Sequence, residues 1–189
     1  MLTDAITNMD IQILNWIQEN LRCSALDIIV PFITFLGNKG WLFIVLAVIL
    51  IGISRYRKWG ASIAVSLSLG LIFGNMVLKN VVARVRPYDF VEGIELLIAK
   101  LSDYSFPSGH TLAAMEFCTV VCMMPVRRIY KVLAILLTMA MAFSRLYLYV
   151  HFPSDVLASV LLGGIFGVMG VRIVEMVTAD NQSENRTDI

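Results

Sequence analysis

The chain holds two histidines, His110 and His151, each in a short polar cluster beside an apolar run. Around His151 the sequence reads Ser144-Arg145-Leu146-Tyr147-Leu148-Tyr149-Val150-His151-Phe152-Pro153-Ser154-Asp155. A carboxylate four residues after a histidine, across a turn begun by proline, can accept the Nδ1–H. That leaves Nε2 with a free lone pair for attack or proton transfer. His110 belongs to Phe106-Pro107-Ser108-Gly109-His110-Thr111, at the start of another apolar run. Ser108 fits an N-cap and Gly109 permits close backbone approach, so free N–H groups and the helix dipole could bind an anion beside His110. A third cluster runs from Lys79 to Arg86 and Pro87. Its two cations fall on one helical face about 10 Å apart along the axis. Pro87 ends that helix and frees the Arg86 guanidinium to turn inward.

Singly, each cluster also fits a plainer role: helix-end cations reaching for headgroups, a capped helix start, a His–Asp cap. Together they are what phosphoryl transfer without a metal requires. Cations and backbone donors offset charge on the equatorial oxygens, one histidine attacks in line, and the second protonates the leaving oxygen.

At these positions the chain resembles the type-2 phosphatidic acid phosphatase superfamily of membrane lipid phosphatases, with its signature KxxxxxxRP, PSGH and SRxxxxxHxxxD. Lys79, Arg86, Pro87, Pro107, Ser108, Gly109, His110, Ser144, Arg145, His151 and Asp155 fill every specified position. The resemblance implies that His151 forms a phosphohistidine, that Asp155 orients it, and that His110 is first the acid and later the base. It implies phosphate binding by Lys79, Arg86, Ser108, Gly109 and Arg145, with no metal and no cofactor. Ser144 is expected to serve local hydrogen bonding. Undecaprenyl diphosphate is the leading substrate by this resemblance, followed by phosphatidylglycerol phosphate and phosphatidic acid. Two alternatives stand beside it: a phosphatase of a soluble ester, and a transporter that binds lipid phosphate without hydrolysing it. The His–Asp pair argues for bond making over transport.

The elements that must position these residues are set by composition. Of 189 residues 58% are hydrophobic and 15% charged, against about 25% charged in an average soluble domain. Mean hydropathy is +0.78. A chain this short buries only about 70% of its unfolded surface, so lipid must serve as solvent for the rest. Apolar runs at 26–36, 41–53, 61–78, 111–124, 132–143 and 156–171 predict an all-α, integral membrane six-helix bundle. Residues 7–21 predict an N-terminal amphipathic helix lying in the headgroup region. Residues 1–177 then make one membrane-embedded phosphatase domain, and the polar tail 178–189 is expected to be disordered.

Residues 1–10 hold no Lys or Arg, unlike a cleavable signal peptide, so insertion is expected to use the helices themselves. Basic clusters at 55–58 and 127–131 belong on the cytoplasmic side of a cell membrane. The site clusters then face the extracytoplasmic side, and six spans return both termini to the cytoplasm. A net charge of +1 offers no field for nucleic acid. The expected partners are the lipid substrate and membrane lipids, and the sequence leaves oligomeric state open. Cys23, Cys118 and Cys122 read as packing residues. Gly70 with Gly74, and Gly163 with Gly167, have the spacing for close helix packing within the chain. Glu116 is expected in a buried pair or as a protonated acid, with a proton relay as the lesser reading. Arg84 is expected at headgroups, and residues 88–106 form a lid or a passive cover.

Overall fold

A computed structural model of the chain describes residues 2–91 and 93–187, with side chains described for 5–91 and 93–179. All regular structure among the described residues is helical. The main elements are α1 (Leu2–Leu21), α2 (Ser24–Leu36), α3 (Trp41–Gly52), α4 (Arg57–Leu69), α5 (Lys79–Val82), α6 (Pro87–Phe90), α7 (Gly109–Met123), α8 (Arg128–Tyr147) and α9 (Pro153–Thr187). A π-helical stretch, Gly70–Leu78, joins α4 to α5 without a break.

α7 is the central helix, packed on α4, α8 and α9. Two pairs of glycines make that possible. A Cβ on Gly70 would lie 2.0 Å from Glu116 Oε1, and one on Gly163 would lie 2.8 Å from the Leu112 carbonyl oxygen. Gly74 and Gly167 meet Leu112 and Thr119 in the same way, so both spacings serve packing within the chain. Around this centre, large apolar side chains face outward, among them Val48 on α3, Met139 on α8 and Leu161 on α9. So broad an apolar exterior needs a lipid solvent, and the chain is a multi-pass membrane protein.

Three helical passages are long and apolar enough to cross a bilayer: Ser54–Phe90, Arg128–Tyr147 and Pro153–Ala179. α7, with 15 residues, is apolar but shorter. These helices do not confirm the expected count of six spans. α2 and α3 continue one another with a bend of 41°. The chain between them uses Lys39 at φ 52° and Gly40 at φ 69°, a break that bends the path instead of reversing it.

α1 buries Asp10, Leu14 and Ile17 against the bundle and leaves Met9, Ile13 and Trp16 exposed. Gln18 Nε2 donates to the Tyr147 carbonyl at 2.8 Å, and Tyr149 Oη donates to Asn15 Oδ1 at 2.7 Å. The N-terminal helix therefore sits at the α8–α9 end of the bundle. α9 starts at that end and leads away from it. The helical bounds of α9 include Thr187, whereas the side chains of 180–189, most of the expected disordered tail, lie outside the described residues.

Candidate active site

The three clusters converge. A cavity of about 1020 Å³ is lined by Lys79, Arg86, Gly109, His110, Arg145 and His151, and continues down an apolar wall that includes Ile44, Val48, Ile51 and Leu71. Local backbone geometry explains how. Ala83, at φ 47°, stops the helix that carries Lys79, and Pro87 holds Arg86 extended at φ −81°, ψ 154°. Tyr149, at φ 58°, turns the chain after α8 so that His151 points back into the bundle.

His151 is buried, and its Nε2 lies 3.3 Å from Arg86 Nη1. A guanidinium only donates, so this contact makes Nε2 the unprotonated nitrogen and puts the proton on Nδ1. Burial, then the charges of Arg145, Arg86 and Lys79, hold the imidazole well below its usual pKa. Nδ1 does not reach Asp155 directly: Oδ2 is 4.0 Å away. Ser105 stands between them, with Oγ 3.5 Å from Nδ1 and donating to Asp155 Oδ2 at 2.5 Å. Asp155 also accepts the Phe152 N–H at 3.1 Å, a reach-back bond at the start of α9. The carboxylate behind Ser105 and the cap of α9 are one residue.

The cations are all buried. Lys79 and Arg86 both pair with Asp103. For the Asp103 carboxyl, burial works upward, but the Lys79 hydrogen bond and charge, with Arg86 behind them, outweigh it and hold the pKa below the ordinary range. Arg145 Nη1 bonds Thr34 Oγ1, while Arg145 Nε has no partner among the described residues. An unpaired guanidinium N–H at 1% exposure is costly unless an anion comes to it.

Two of the expected site residues, Ser108 and His110, stand at the start of α7. Ser108 is buried, but its N–H goes to Ser159 Oγ at 2.8 Å and its hydroxyl pairs with Thr111 at 3.1 Å. It supports the start of α7 and does not line the cavity. The intrahelical ladder begins with Leu112 N–H on Ser108 O at 2.9 Å, so the preceding N–H groups, Gly109 among them, stand outside it. His110 does line the cavity, with Nε2 3.1 Å from both Thr34 O and Asn38 Oδ1. Both partners accept, so Nε2 carries a proton.

Residues 59–179, which contain all three clusters, match the PAP2 superfamily. The chain belongs to that family. It is 30% identical over 152 residues to an undecaprenyl-diphosphatase of Sulfolobus acidocaldarius, covering 80% of this chain and 72% of that one. It is 32% identical over 158 residues to phosphatidylglycerophosphatase B of Bacillus subtilis, covering 76% and 72%. Its fold is similar to the crystal structure of Aquifex aeolicus LpxE, with TM-score 0.76 and 25% identity over 85% of this chain and 93% of that one.

Several residues around this PAP2 site carry no sequence signal of their own. Arg84, expected at headgroups, instead donates to Asp155 Oδ1 at 2.5 Å and to Asp10 Oδ2 at 2.9 Å. Asp10, in turn, accepts from Ser154 N–H at 3.0 Å. Ser105 and Asp103 come from the connection 91–108, Thr34 from the last turn of α2, and Asn38 from the α2–α3 break. Glu116 is 1% exposed and its Oε1 has no partner, so the expected buried pair is not formed. Cys118 packs with Val121, Met124 and Ala134.

Proposed function

We propose that the protein is an integral membrane phosphatase that removes the terminal phosphate of a lipid phosphate or diphosphate through a phosphohistidine on His151. The observation that carries this reading is the lone pair of His151 Nε2, held beside Arg86 in a cavity that also holds Lys79 and Arg145. The three cations and the α7 N–H groups bind the non-bridging oxygens and offset their charge in the transition state, the work a metal does in other phosphatases. Nε2 attacks phosphorus in line, the P–N bond forms, and the P–O bond to the lipid breaks. His110, as the imidazolium beside the bound phosphate, gives its Nδ1 proton to the leaving oxygen and keeps the Nε2 proton on Thr34 and Asn38. It then takes a proton from water, which attacks phosphorus, breaks the P–N bond and frees inorganic phosphate. Ser105 and Asp155 stabilise the imidazolium formed at Nδ1.

The apolar wall of the cavity favours a lipid over a soluble ester, because a tail can follow its outward-facing side chains, Ile44, Val48 and Leu71, from the phosphate along the lipid-exposed side of the bundle. Among lipids, undecaprenyl diphosphate leads on the similarity to the archaeal relative, with phosphatidylglycerol phosphate and phosphatidic acid next. The extracytoplasmic placement is supported by the basic clusters. Lys58 pairs at 3.3 Å with Glu175, far along α9 from the site, and Arg128 starts α8 while Arg145 near its other end lines the cavity. The positive-inside rule then turns the site outward.

The test is phosphate release by purified protein in detergent with a chelator present, using these three lipids and a soluble ester. Wild type should hydrolyse a lipid substrate, and His151→Ala and His110→Ala should lose turnover. Wild-type rates in both variants overturn the assignment.

A further inference from the structure

The cations needed for phosphate already hold an anion. Asp103, in the connection between α6 and α7, places its carboxylate on Lys79 Nζ and, at 2.6 Å, on Arg86 Nη2. The same stretch of backbone is tied down on Arg86. Nε donates to the Asp103 carbonyl at 2.8 Å and Nη2 to the Tyr104 carbonyl at 3.2 Å. On either side, Leu101 N–H donates to Tyr88 Oη at 3.1 Å and Ser105 N–H to Arg84 O at 2.8 Å. The two cationic side chains are 11% and 3% exposed, whereas the Asp103 side chain is 51% exposed. Asp103 lines the cavity that His151 lines.

We propose that Asp103 is a resident anion: its carboxylate occupies the phosphate subsite on Lys79 and Arg86 and is displaced when substrate phosphate arrives. The inference rests on the reading of this cavity as a phosphate site. Carboxylate and phosphate make the same charge-assisted bonds to guanidinium and ammonium. A buried cation left unpaired is strongly destabilising, so a carboxylate supplied by the chain stabilises the empty site. Phosphate carries more charge and more acceptor oxygens, and it can also engage Arg145, whose Nε has no partner among the described residues. Arg145 receives the anion first, and the exchange on Arg86 and Lys79 follows.

The exchange asks little of the backbone. The carbonyls of Asp103 and Tyr104 can stay on Arg86 while the Asp103 side chain rotates towards the solvent that already wets half of it. The return of the carboxylate then helps to expel inorganic phosphate after each turnover. Asp103 thus sets the affinity of the site for phosphate without touching the reacting atoms. It also gives residues 88–106 a role more specific than passive cover.

The test is calorimetric titration of the full chain in detergent with inorganic phosphate. Asp103→Asn and Asp103→Ala should bind phosphate about fivefold more tightly than wild type, the scale of a lost half-exposed ion pair, with KM lowered in parallel. Asp103→Glu, which keeps the charge, should stay near the wild-type affinity. Unchanged or weaker binding in the Asn and Ala variants overturns the proposal, as does equal tightening in the Glu variant. A second measurement needs no variant: carbodiimide labelling of Asp103 in wild type, read by mass spectrometry, should rise when phosphate is added. Constant labelling at saturating phosphate also overturns it. Neither readout depends on turnover. If no lipid phosphate is hydrolysed yet phosphate displaces Asp103, the enzymatic reading fails alone; if hydrolysis proceeds and Asp103 is not displaced, this inference fails alone.

Discussion

Arg84 Nη1 lies 2.5 Å from Asp155 Oδ1, and Arg84 Nη2 lies 2.9 Å from Asp10 Oδ2, so one guanidinium joins the N-terminal helix to the carboxylate behind His151. Both carboxylates are buried, at 0% and 4% exposure. The Arg84 guanidinium also stacks 3.9 Å above the Phe152 ring, next to His151 in the chain. Arg84 is thus a positioning residue, acting on the imidazole through Asp155.

Arg84→Ala strands two buried carboxylates, and breaking a buried pair from one side costs about 3–5 kcal/mol. Displacement of Asp155 by a fraction of an ångström carries to Ser105 and His151, so kcat should fall by about 10²-fold. KM should change little, because Arg84 does not line the cavity. Asp10→Asn keeps one acceptor and should cost less on both counts. Thermal unfolding and steady-state kinetics below the melting temperature check this. A lowered melting temperature with unchanged kcat would make the contact structural only.

His151 gives stability a defined pH dependence. Its native pKa is depressed, so between that value and the unfolded value of about 6.5 the unfolded chain binds the proton and the native one does not. Stability from this group is therefore complete above about pH 6.5 and is lost as pH falls below it. Lys79, Arg86 and Arg145 face the ring and penalise the imidazolium, while Asp155 favours it from behind Ser105. His151→Gln should flatten the slope of unfolding free energy against pH between about 5 and 6.5 by up to one proton. Denaturant unfolding at several pH values measures it, and equal slopes in variant and wild type would contradict it.

The clusters that were legible in the sequence share one property: their residues act within short stretches. The reach from His151 to Asp155 and the stop at Arg86-Pro87 are local, and periodicity then carried the helices that bring them together. Contacts that cross the chain left no mark. Asp10 and Ser154 are 144 residues apart, and Thr34 and Arg145 are 111 apart. Ser108 shows the same limit, because Ser159 on α9 takes the N–H that a local reading leaves free. The span count is hardest to read at Gly37-Asn38-Lys39-Gly40, whose composition marks a turn but not its angle. A reversal and a bend of 41° look alike in residue types.

Glu116 and Gly70 should behave as a coupled pair. Gly70→Ala places a methyl group 2.0 Å from Glu116 Oε1, and over-packing of this kind costs about 1–3 kcal/mol. Glu116→Ala clears that space, so the cost of Gly70→Ala should shrink in the double variant. Glu116→Gln should be tolerated in stability and rate, since an unpaired carboxyl at this depth is a neutral acid with nearly the shape of an amide. Additive costs in the cycle, or a large kcat loss in the Gln variant, would show that Glu116 does more than pack.

Asn38 decides how His110 stands. Its Oδ1 and the Thr34 carbonyl both lie 3.1 Å from Nε2, and a Cβ on neighbouring Gly37 would lie 2.7 Å from His110 Cδ2. The α2–α3 break is therefore fitted to the ring that the proposed reaction uses as acid and base. Asn38→Ala removes one of two acceptors and leaves the ring less firmly oriented, which should lower kcat by about tenfold with KM nearly unchanged. Asn38→Asp, which keeps an acceptor in place, should retain more of the rate than Asn38→Ala. Equal losses in the two variants would mean that the side-chain oxygen does not orient His110.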